Sequence, residues 1–299
     1  MDIVVENVSL KSNNQISIKN VSFTAHTGKV LGILGPENAG KSTLLRMILN
    51  MIKSDSGKIN LGGNPITLES RNKIGYLPEK RGIYQNKRVI DVLIYFGQLK
   101  NMPYKKANVE AIRLLDRFEM IEYMEDPVSR LSDNLQQKLL LLISILHDPK
   151  VLILDEPFLG LESLNQDMLQ KLIFRFREEG KTVIVATRQL NKAEKVCDDI
   201  LFLENGSTVL KGNLESIRGK FKVYIISVES DGNLRLLKNI QGVKKQYLEK
   251  QRAKLFVDEK IPAGEILQKI ISKVNISFIE VNRPTLEDIY FEVIKSGEL

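Results

Sequence analysis

Residues 35–43, GPENAGKST, constrain the fold of this chain more than any other segment. The segment follows the apolar run KVLGIL and fits the pattern G-x-x-x-x-G-K-[ST] at Gly35, Gly40, Lys41 and Ser42. Glycines at these places let the backbone fold tightly, so that successive N–H groups point at phosphate oxygens. The pattern therefore predicts a buried strand, a phosphate-binding loop, and a helix whose N-terminus faces the anion.

The side chains of this loop have expected roles in holding a nucleotide. Lys41 would place a positive charge near the β- and γ-phosphates of ATP, and the Ser42 hydroxyl would bind Mg²⁺. A glycine-rich turn without any ligand is the alternative. The residues expected to contact the nucleotide are Gly35, Pro36, Glu37, Asn38, Ala39, Gly40, Lys41, Ser42 and Thr43.

A second motif, VLILDEP at residues 151–157, places two carboxylates after four apolar residues. Open α/β sheets bind ligands at the carboxyl ends of their strands, which is where Asp155 and Glu156 would lie. Asp155 is expected to hold Mg²⁺ through water, and Glu156 to act as the general base on the attacking water. Alone, this segment would fit an ordinary turn. Together with the loop, it predicts a nucleotide site.

The hydrophobic pattern predicts an α/β domain over residues 1–215. KVLGIL, VLIL and TVIVAT are continuously apolar, as in parallel strands that are buried on both faces. DIVVENV and ISIKNVSF alternate apolar and polar residues and predict paired strands near a sheet edge, and LFLENGSTVL predicts a hairpin at Asn205-Gly206. Helices are predicted at residues 41–52, 89–100, 105–119, 134–146, 163–179 and 189–197.

Residues 221–299 predict a second, smaller domain. The order strand, helix, strand, strand, helix, strand is that of a ferredoxin-like α+β fold. A closing helix, TLEDIYFEVI, follows Pro284. No side chain in this domain indicates catalysis, so its role stays open between regulation, dimerisation and contact with a membrane subunit.

Composition and charge narrow the classes of protein. The 299 residues suffice for one large and one small domain, and 43% apolar with 27% charged residues indicates a globular rather than a disordered chain. The longest apolar run, LLLLISIL from Leu139, is too short to cross a bilayer. The single Cys197 cannot form an internal disulfide, which suits a reducing cytosol. The net charge is +7, and the lysines and arginines that produce it are scattered along the chain. This distribution favours a solvated surface over a nucleic-acid interface, and attraction to an anionic membrane is the alternative.

The loop and VLILDEP, together with GYLPE at residues 75–79 and LSDNLQQK at residues 131–138, resemble the motifs of the ATP-binding subunits of ABC transporters. GYLPEKRGIY and the closing RPTLEDIYFEVI are similar to the branch that serves ABC-2-type exporters, including sodium and antibiotic or peptide efflux systems. The resemblance implies a P-loop NTPase domain of the ABC type with a helical subdomain at about residues 80–148. It also implies a cytoplasmic protein, peripheral on the inner face of the cell membrane.

The resemblance also implies partners. Two such subunits sandwich two MgATP, each between the phosphate loop of one and the signature segment of the other, and their closure moves a separate integral membrane permease. The second ATP-binding subunit would be identical or different, and no nucleic acid is expected. From their positions in the family's motifs, Ser132 is expected to contact the nucleotide and Glu79 is expected to be a metal ligand. The contact with the permease is expected at residues 79–95. Simple solvation is the alternative for the cations of this segment, Lys80, Arg81, Lys87 and Arg88.

Several positions depart from the family pattern. The signature, L-S-G-G-Q or L-S-K-G-N in the family, reads L-S-D-N-L at residues 131–135, so Asp133, Asn134 and Leu135 are altered. The histidine expected after TVIVAT aligns with Arg188, a permanent cation that could clamp the γ-phosphate. The aspartate of the family's GLDP turn is Glu162, and the aromatic residue that stacks on adenine aligns with Ser12.

These departures leave two functions open. The phosphate and metal half of the site matches the family, whereas the half offered across the dimer is altered, so MgATP binding is expected and the hydrolysis rate is in doubt. The first function is the energy-coupling ATPase subunit of an exporter. The second is an ATP-binding regulatory partner that hydrolyses slowly and pairs with a competent subunit.

Overall fold

The computed structural model describes residues 1–12, 15–79 and 82–296, and it divides the chain into two compact units, Met1–Gly212 and Asn213–Leu299. Within these described ranges, no helix is both long and apolar enough to cross a membrane.

A six-stranded sheet forms the centre of the first unit. Its strands are β3 (Val30–Leu34), β6 (Ile74–Leu77), β7 (Val151–Asp155), β8 (Thr182–Thr187), β9 (Asp199–Glu204) and β10 (Ser207–Asn213). Their order is β10-β9-β3-β8-β7-β6, and β3, β8 and β7 are parallel neighbours buried at every residue, as their apolar runs predicted. The predicted hairpin joins β9 to β10, with positive φ at both Asn205 (47°) and Gly206 (75°).

The first two strands pair as predicted, in an antiparallel sheet that is separate from the six-stranded one, and the second of them is an edge strand of that sheet. This sheet has the order β2-β1-β4-β5 and consists of β1 (Ile3–Ser12), β2 (Gln15–Ala25), β4 (Ser56–Leu61) and β5 (Asn64–Pro65). The alternating pattern of β1 and β2 gives this sheet one apolar face. Ile3, Val5 and Val21 on that face share a core cluster with Leu44 and Ile48 of the first helix.

Six helices of the first unit match the predicted segments. They are α1 (Lys41–Ile48), α2 (Val89–Leu99), α3 (Tyr104–Arg117), α4 (Asp133–Ile145), α5 (Ser163–Glu178) and α6 (Leu190–Val196). The first helix ends before its predicted boundary at residue 52, because Asn50 adopts the left-handed conformation (φ 51°). Helices α2, α3 and α4 pack on one another and form a helical layer beside the sheet.

The second unit has the ferredoxin-like strand order. Its elements are α7 (Leu214–Lys220), β11 (Val223–Glu229), β12 (Val243–Leu248), β13 (Arg252–Asp258), α8 (Ala263–Ile271), β14 (Phe278–Asn282) and α9 (Leu286–Ser296). The four strands form one antiparallel sheet in the order β12-β13-β11-β14. The first predicted helix is only a 3₁₀ turn, Leu234–Leu237, because Lys238 returns to an extended backbone (ψ 139°).

Candidate functional site

The predicted phosphate-binding segment, residues 35–43, begins directly after β3 and runs into the first turn of α1. Gly35 and Gly40 have φ of 150° and 100°, angles that side-chain-bearing residues rarely adopt. A Cβ atom on Gly35 would lie 2.2 Å from the carbonyl oxygen of Leu203 in β9. The two glycines of the motif are therefore required by the conformation of the loop backbone itself.

Lys41 lies at the centre of this loop. Its side chain is 7% exposed, and its Nζ donates hydrogen bonds to the carbonyl oxygens of Gly35 (2.9 Å) and Pro36 (2.7 Å). Nζ also lies 3.8 Å from Oε1 of Glu156. Burial lowers the pKa of Lys41, while the carboxylates of Glu156, Asp155 and Glu79 act in the opposite direction. The loop is thus wrapped around its lysine, and the ammonium group faces the carboxylates at the ends of β6 and β7.

Asp155 ends β7 with a side chain that suits a metal ligand. The residue is 1% exposed, and its Oδ1 has no hydrogen-bond partner. Burial raises the pKa of Asp155 to about 6, and a hydrogen bond from Ser42 opposes this rise. A buried carboxylate oxygen without a protein partner suits a cation or an ordered water, and carboxylate and hydroxyl oxygens are ligands that Mg²⁺ prefers.

The remaining predicted metal ligand, Glu79, is exposed just after β6, near enough for its charge to raise the pKa of Asp155. Ser42, Asp155 and Glu79 therefore fit Mg²⁺. Among the residues that the structure describes, no group of three or more His, Cys, Asp or Glu side chains could hold a metal.

Glu156 follows Asp155 and is held by the neighbouring strand. Its backbone has a positive φ of 46°, a conformation costing of order 1–3 kcal/mol that clusters at functional sites. Its N–H donates to the carbonyl oxygen of Ala186 (2.8 Å). Oε2 accepts a hydrogen bond from the Thr187 hydroxyl (2.8 Å), and Oε1 accepts one from the N–H of Arg188 (2.9 Å). The carboxylate is thus fixed in direction as well as buried.

Thr187 is a site residue that the sequence analysis missed. It is fully buried, and its Oγ1 also accepts a hydrogen bond from the N–H of Gln189 (3.1 Å). The available signal was a hydroxyl at the end of the otherwise apolar strand TVIVAT. A buried hydroxyl needs a partner, and strand ends are where this class of sheet places its site.

Arg188 lies at the mouth of the phosphate loop. Its Nη1 is 3.2 Å from Oε2 of Glu37, with the two side chains 44% and 76% exposed. The cation at the family's histidine position is therefore paired with a carboxylate of the loop itself. An exposed pair of this kind contributes only about 0–1 kcal/mol, so an incoming phosphate can compete for the guanidinium.

The altered signature segment lies at the start of α4. The Ser132 hydroxyl caps this helix by accepting a hydrogen bond from the N–H of Leu135 (3.3 Å). The Asn134 side chain is held within its own chain, where its Oδ1 accepts a hydrogen bond from Asn165 of α5 (3.0 Å). No hydrogen bond or ion pair joins Ser132 to the phosphate loop in the part of the chain that the structure describes.

The other singled-out positions are placed as follows. Glu162 occupies the N-cap position of α5 but makes no side-chain capping bond. Ser12 ends β1, and its side chain lies outside the described part of the chain, as do residues Lys80 and Arg81. Arg88 forms ion pairs with Asp91 and Glu125, which neutralise its contribution to a basic surface.

Comparisons with known proteins agree with this geometry. A family model described as "ABC transporter" matches residues 18–159, and one described as "ATP-binding protein DrrA1-3-like, C-terminal domain" matches residues 212–294. An uncharacterized ABC transporter ATP-binding protein of Alkalihalophilus pseudofirmus is 34% identical over 263 residues, which cover 88% of this chain and 98% of that protein. The linearmycin resistance ATP-binding protein LnrL of Bacillus subtilis is 24% identical over 300 residues, 96% of each chain. A solved structure of an ATP-binding subunit of an ABC transporter superposes with a TM-score of 0.69 at 25% identity, over 74% of this chain and 93% of that one.

Proposed function

The chain belongs to the ATP-binding proteins of ABC transporters, and we propose that it hydrolyses MgATP to drive a separate membrane permease. The observation that carries this proposal is the convergence of Lys41, Asp155 and Glu156 at the carboxyl ends of β3 and β7. A bare glycine-rich turn would not need a buried lysine, an unpartnered buried carboxylate oxygen and a second carboxylate fixed by two hydrogen bonds.

The side chains of the site have distinct roles in this mechanism. The loop N–H groups and Lys41 bind and orient the β- and γ-phosphates, and the N-terminus of α1 adds favourable dipoles. Ser42, Asp155 and Glu79 would hold Mg²⁺, which when bound would neutralise charge on the phosphates. Glu156 accepts a proton from the attacking water, and its hydrogen bonds from Thr187 and Arg188 aim the carboxylate. When ATP binds, the Arg188 guanidinium leaves its ion pair with Glu37 and binds the γ-phosphate instead.

Calorimetric titration with MgATP tests the nucleotide site. Lys41→Ala should lose most of the affinity, because it removes the buried charge and its two hydrogen bonds to the loop. Lys58→Ala removes an exposed lysine from β4 and is the matched control. Affinity that is unchanged in a folded Lys41→Ala protein would refute the assignment of the loop.

Export is the proposed direction, and a surface at the start of α2 is the proposed contact with the permease. LnrL, named for linearmycin resistance, and the DrrA-like C-terminal domain support an exporter that acts from the inner face of the membrane. Tyr84 and Tyr95 are 53% and 43% exposed and pack edge to face at 5.6 Å, so they give this segment an exposed aromatic pair that a partner could contact. A photo-crosslinker at residue 95 should capture a multispanning membrane protein, and one at residue 109 on α3 should not.

An ATP-binding partner with slow turnover is the second candidate function. The observation that favours it is the signature segment, where Asp133 adds a negative charge and Asn134 is tied to Asn165. Each site of a homodimer would then combine an altered signature with Arg188. Phosphate release that is slow alone and fast with a second subunit bearing an intact signature would support this function. Fast release by the protein alone would exclude it.

A further inference from the structure

Glu37 brings a negative charge into the phosphate loop, where phosphate binding needs positive charge. The residue lies between Pro36, whose carbonyl oxygen accepts a hydrogen bond from Lys41 Nζ (2.7 Å), and Asn38, whose φ is 63°. Like charges that are close together repel each other, so the Glu37 carboxylate does not favour phosphate binding by itself. The carboxylate therefore calls for a role other than contact with the phosphates.

The partner of this carboxylate is Arg188, which directly follows β8. Arg188 Nη1 donates to Glu37 Oε2 at 3.2 Å, and neither side chain forms another ion pair within residues 1–12, 15–79 and 82–296. The two residues are 151 positions apart in the sequence, so the packing of the loop beside the end of β8 brings them together. The pair is therefore a feature of the folded nucleotide site and not of the local chain.

Arg188 also contacts the proposed general base through its backbone. Its N–H donates to Glu156 Oε1 (2.9 Å), and the same oxygen lies 3.8 Å from Lys41 Nζ. Burial is the main cause that lowers the pKa of Lys41, and the positive charge of Arg188 lowers this pKa further. The two cations thus lie within electrostatic range of each other, and an anion that reaches both, as the γ-phosphate would, is attracted by both.

The ion pair between Glu37 and Arg188 is loose enough to be replaced. Its distance of 3.2 Å exceeds the roughly 2.7–2.9 Å of strong charge-assisted hydrogen bonds, and the two side chains are well exposed to solvent. A terminal phosphate carries more negative charge and more acceptor oxygens than a carboxylate. The γ-phosphate should therefore displace Glu37 from Arg188, whereas a nucleoside diphosphate lacks the group that would do so.

We propose that Glu37 is a specificity-determining residue, which competes with the γ-phosphate for Arg188 and so weakens the binding of a nucleoside triphosphate but not that of a diphosphate. This inference rests on the proposed function. In the empty and the diphosphate-bound site, Glu37 pairs with Arg188. In the triphosphate-bound site, Glu37 turns into solvent, which its exposure allows. The pair forms again once the γ-phosphate has left, so Glu37 favours the states before ATP binds and after ATP is hydrolysed.

Calorimetric titrations of the full chain with MgADP and with the non-hydrolysable triphosphate MgAMP-PNP test this competition. Glu37→Gln keeps the size of the side chain and removes its charge. It should tighten MgAMP-PNP binding about three- to fivefold, which is the upper range for an exposed ion pair, and change MgADP binding by less than about twofold. Glu178→Gln removes the same charge from the end of α5, before β8, whereas Arg188 follows that strand. This control should change neither affinity.

Arg188→Gln shows whether the effect of Glu37 passes through the guanidinium. This change removes the guanidinium but keeps the backbone N–H that bonds to Glu156. In the Arg188→Gln background, Glu37→Gln should change the ratio of the two affinities by less than about twofold, because no cation remains for which the two anions compete. A gain in this background as large as that in the parent would overturn the proposal.

Other results would also overturn the competition. An equal gain for both nucleotides in Glu37→Gln would mean that Glu37 repels phosphates in general, and weaker MgAMP-PNP binding would mean that Glu37 holds Arg188 ready for the γ-phosphate. Nucleotide binding that depends on Lys41, with an affinity ratio that Glu37→Gln leaves unchanged, would refute the competition and leave the proposed function intact. A parent protein that binds neither nucleotide would refute both.

Discussion

Thr187→Val tests how Glu156, the proposed general base, is held, by removing a single hydroxyl. Thr187 Oγ1 donates to Oε2 of Glu156 at 2.8 Å, and both residues are buried. Valine has nearly the same shape, so the change leaves the space filled but deprives a buried carboxylate oxygen of its partner. A hydrogen bond to a charged group contributes about 1.5–3 kcal/mol. If all of this free energy is used to hold the Glu156 carboxylate in its reactive position, the loss of the hydrogen bond should lower kcat about 10- to 100-fold.

The assays are steady-state phosphate release and MgATP titration. ATP affinity should stay at the parent's value, because Thr187 bonds to the base and not to the loop. Thr187→Ser keeps the hydroxyl and should keep most of kcat. In urea unfolding, Thr187→Val and Glu156→Gln should be non-additive by more than about 0.5 kcal/mol, since they share one hydrogen bond. An unchanged kcat in Thr187→Val, or a loss explained by weaker ATP binding, would refute the positioning role.

Further predictions address hydrolysis, dimer repair, base selectivity and pH. The Glu156→Gln variant should bind ATP as the parent does but should no longer hydrolyse it. Phosphate release at the parent's rate would show that another residue acts as the general base. The double change Asn134→Gly with Leu135→Gln should raise the rate of phosphate release by the homodimer more than Arg188→His does. The reason is that the Asn134 side chain lies where the backbone must approach the phosphate, so that it prevents closure of the dimer. Arg188, in contrast, still offers a positive charge to the phosphate. A parent turning over at about 1 per second or faster would contradict this. ATP and GTP should bind with similar affinity, because the residue aligned with the adenine-stacking aromatic is Ser12, and a strong ATP preference would be the contrary result. The pKa of His147, lowered by burial to about 4, lies below its ordinary value of about 6.5, so only the unfolded chain takes up a proton between these values. The His147 contribution to the free energy of unfolding should therefore fall by about 3 kcal/mol as the pH drops from 6.5 to 4. Asp155, whose pKa is raised to about 6, contributes with the opposite sign over this range, but it does so equally in the parent and in His147→Gln. In urea titrations the parent should therefore lose about 3 kcal/mol relative to His147→Gln between these pH values.

The sequence by itself determined the features that rest on local chemistry. The phosphate loop follows from glycines that adopt φ of 150° and 100°, and the hairpin follows from Asn205-Gly206. Continuous apolar runs identified the buried parallel strands, since burial on both faces leaves no polar position. The fold-class prediction is confirmed for the same reason, because helices and strands of this kind are encoded in short windows of the chain.

Only the tertiary structure decided which distant residues meet. Strand pairing joins segments far apart in sequence, so the separate sheet of β1, β2, β4 and β5 could not be read from its alternating pattern alone. The hydrogen bonds of the site also could not be predicted from the sequence. They join Glu156 to the Thr187 hydroxyl and to the N–H of Arg188, the Arg188 side chain to Glu37, and Asn165 to Asn134. Each of these contacts joins two residues that are more than thirty positions apart in the sequence. Its geometry is fixed by the packing of whole helices and strands rather than by the conformational preferences of either residue.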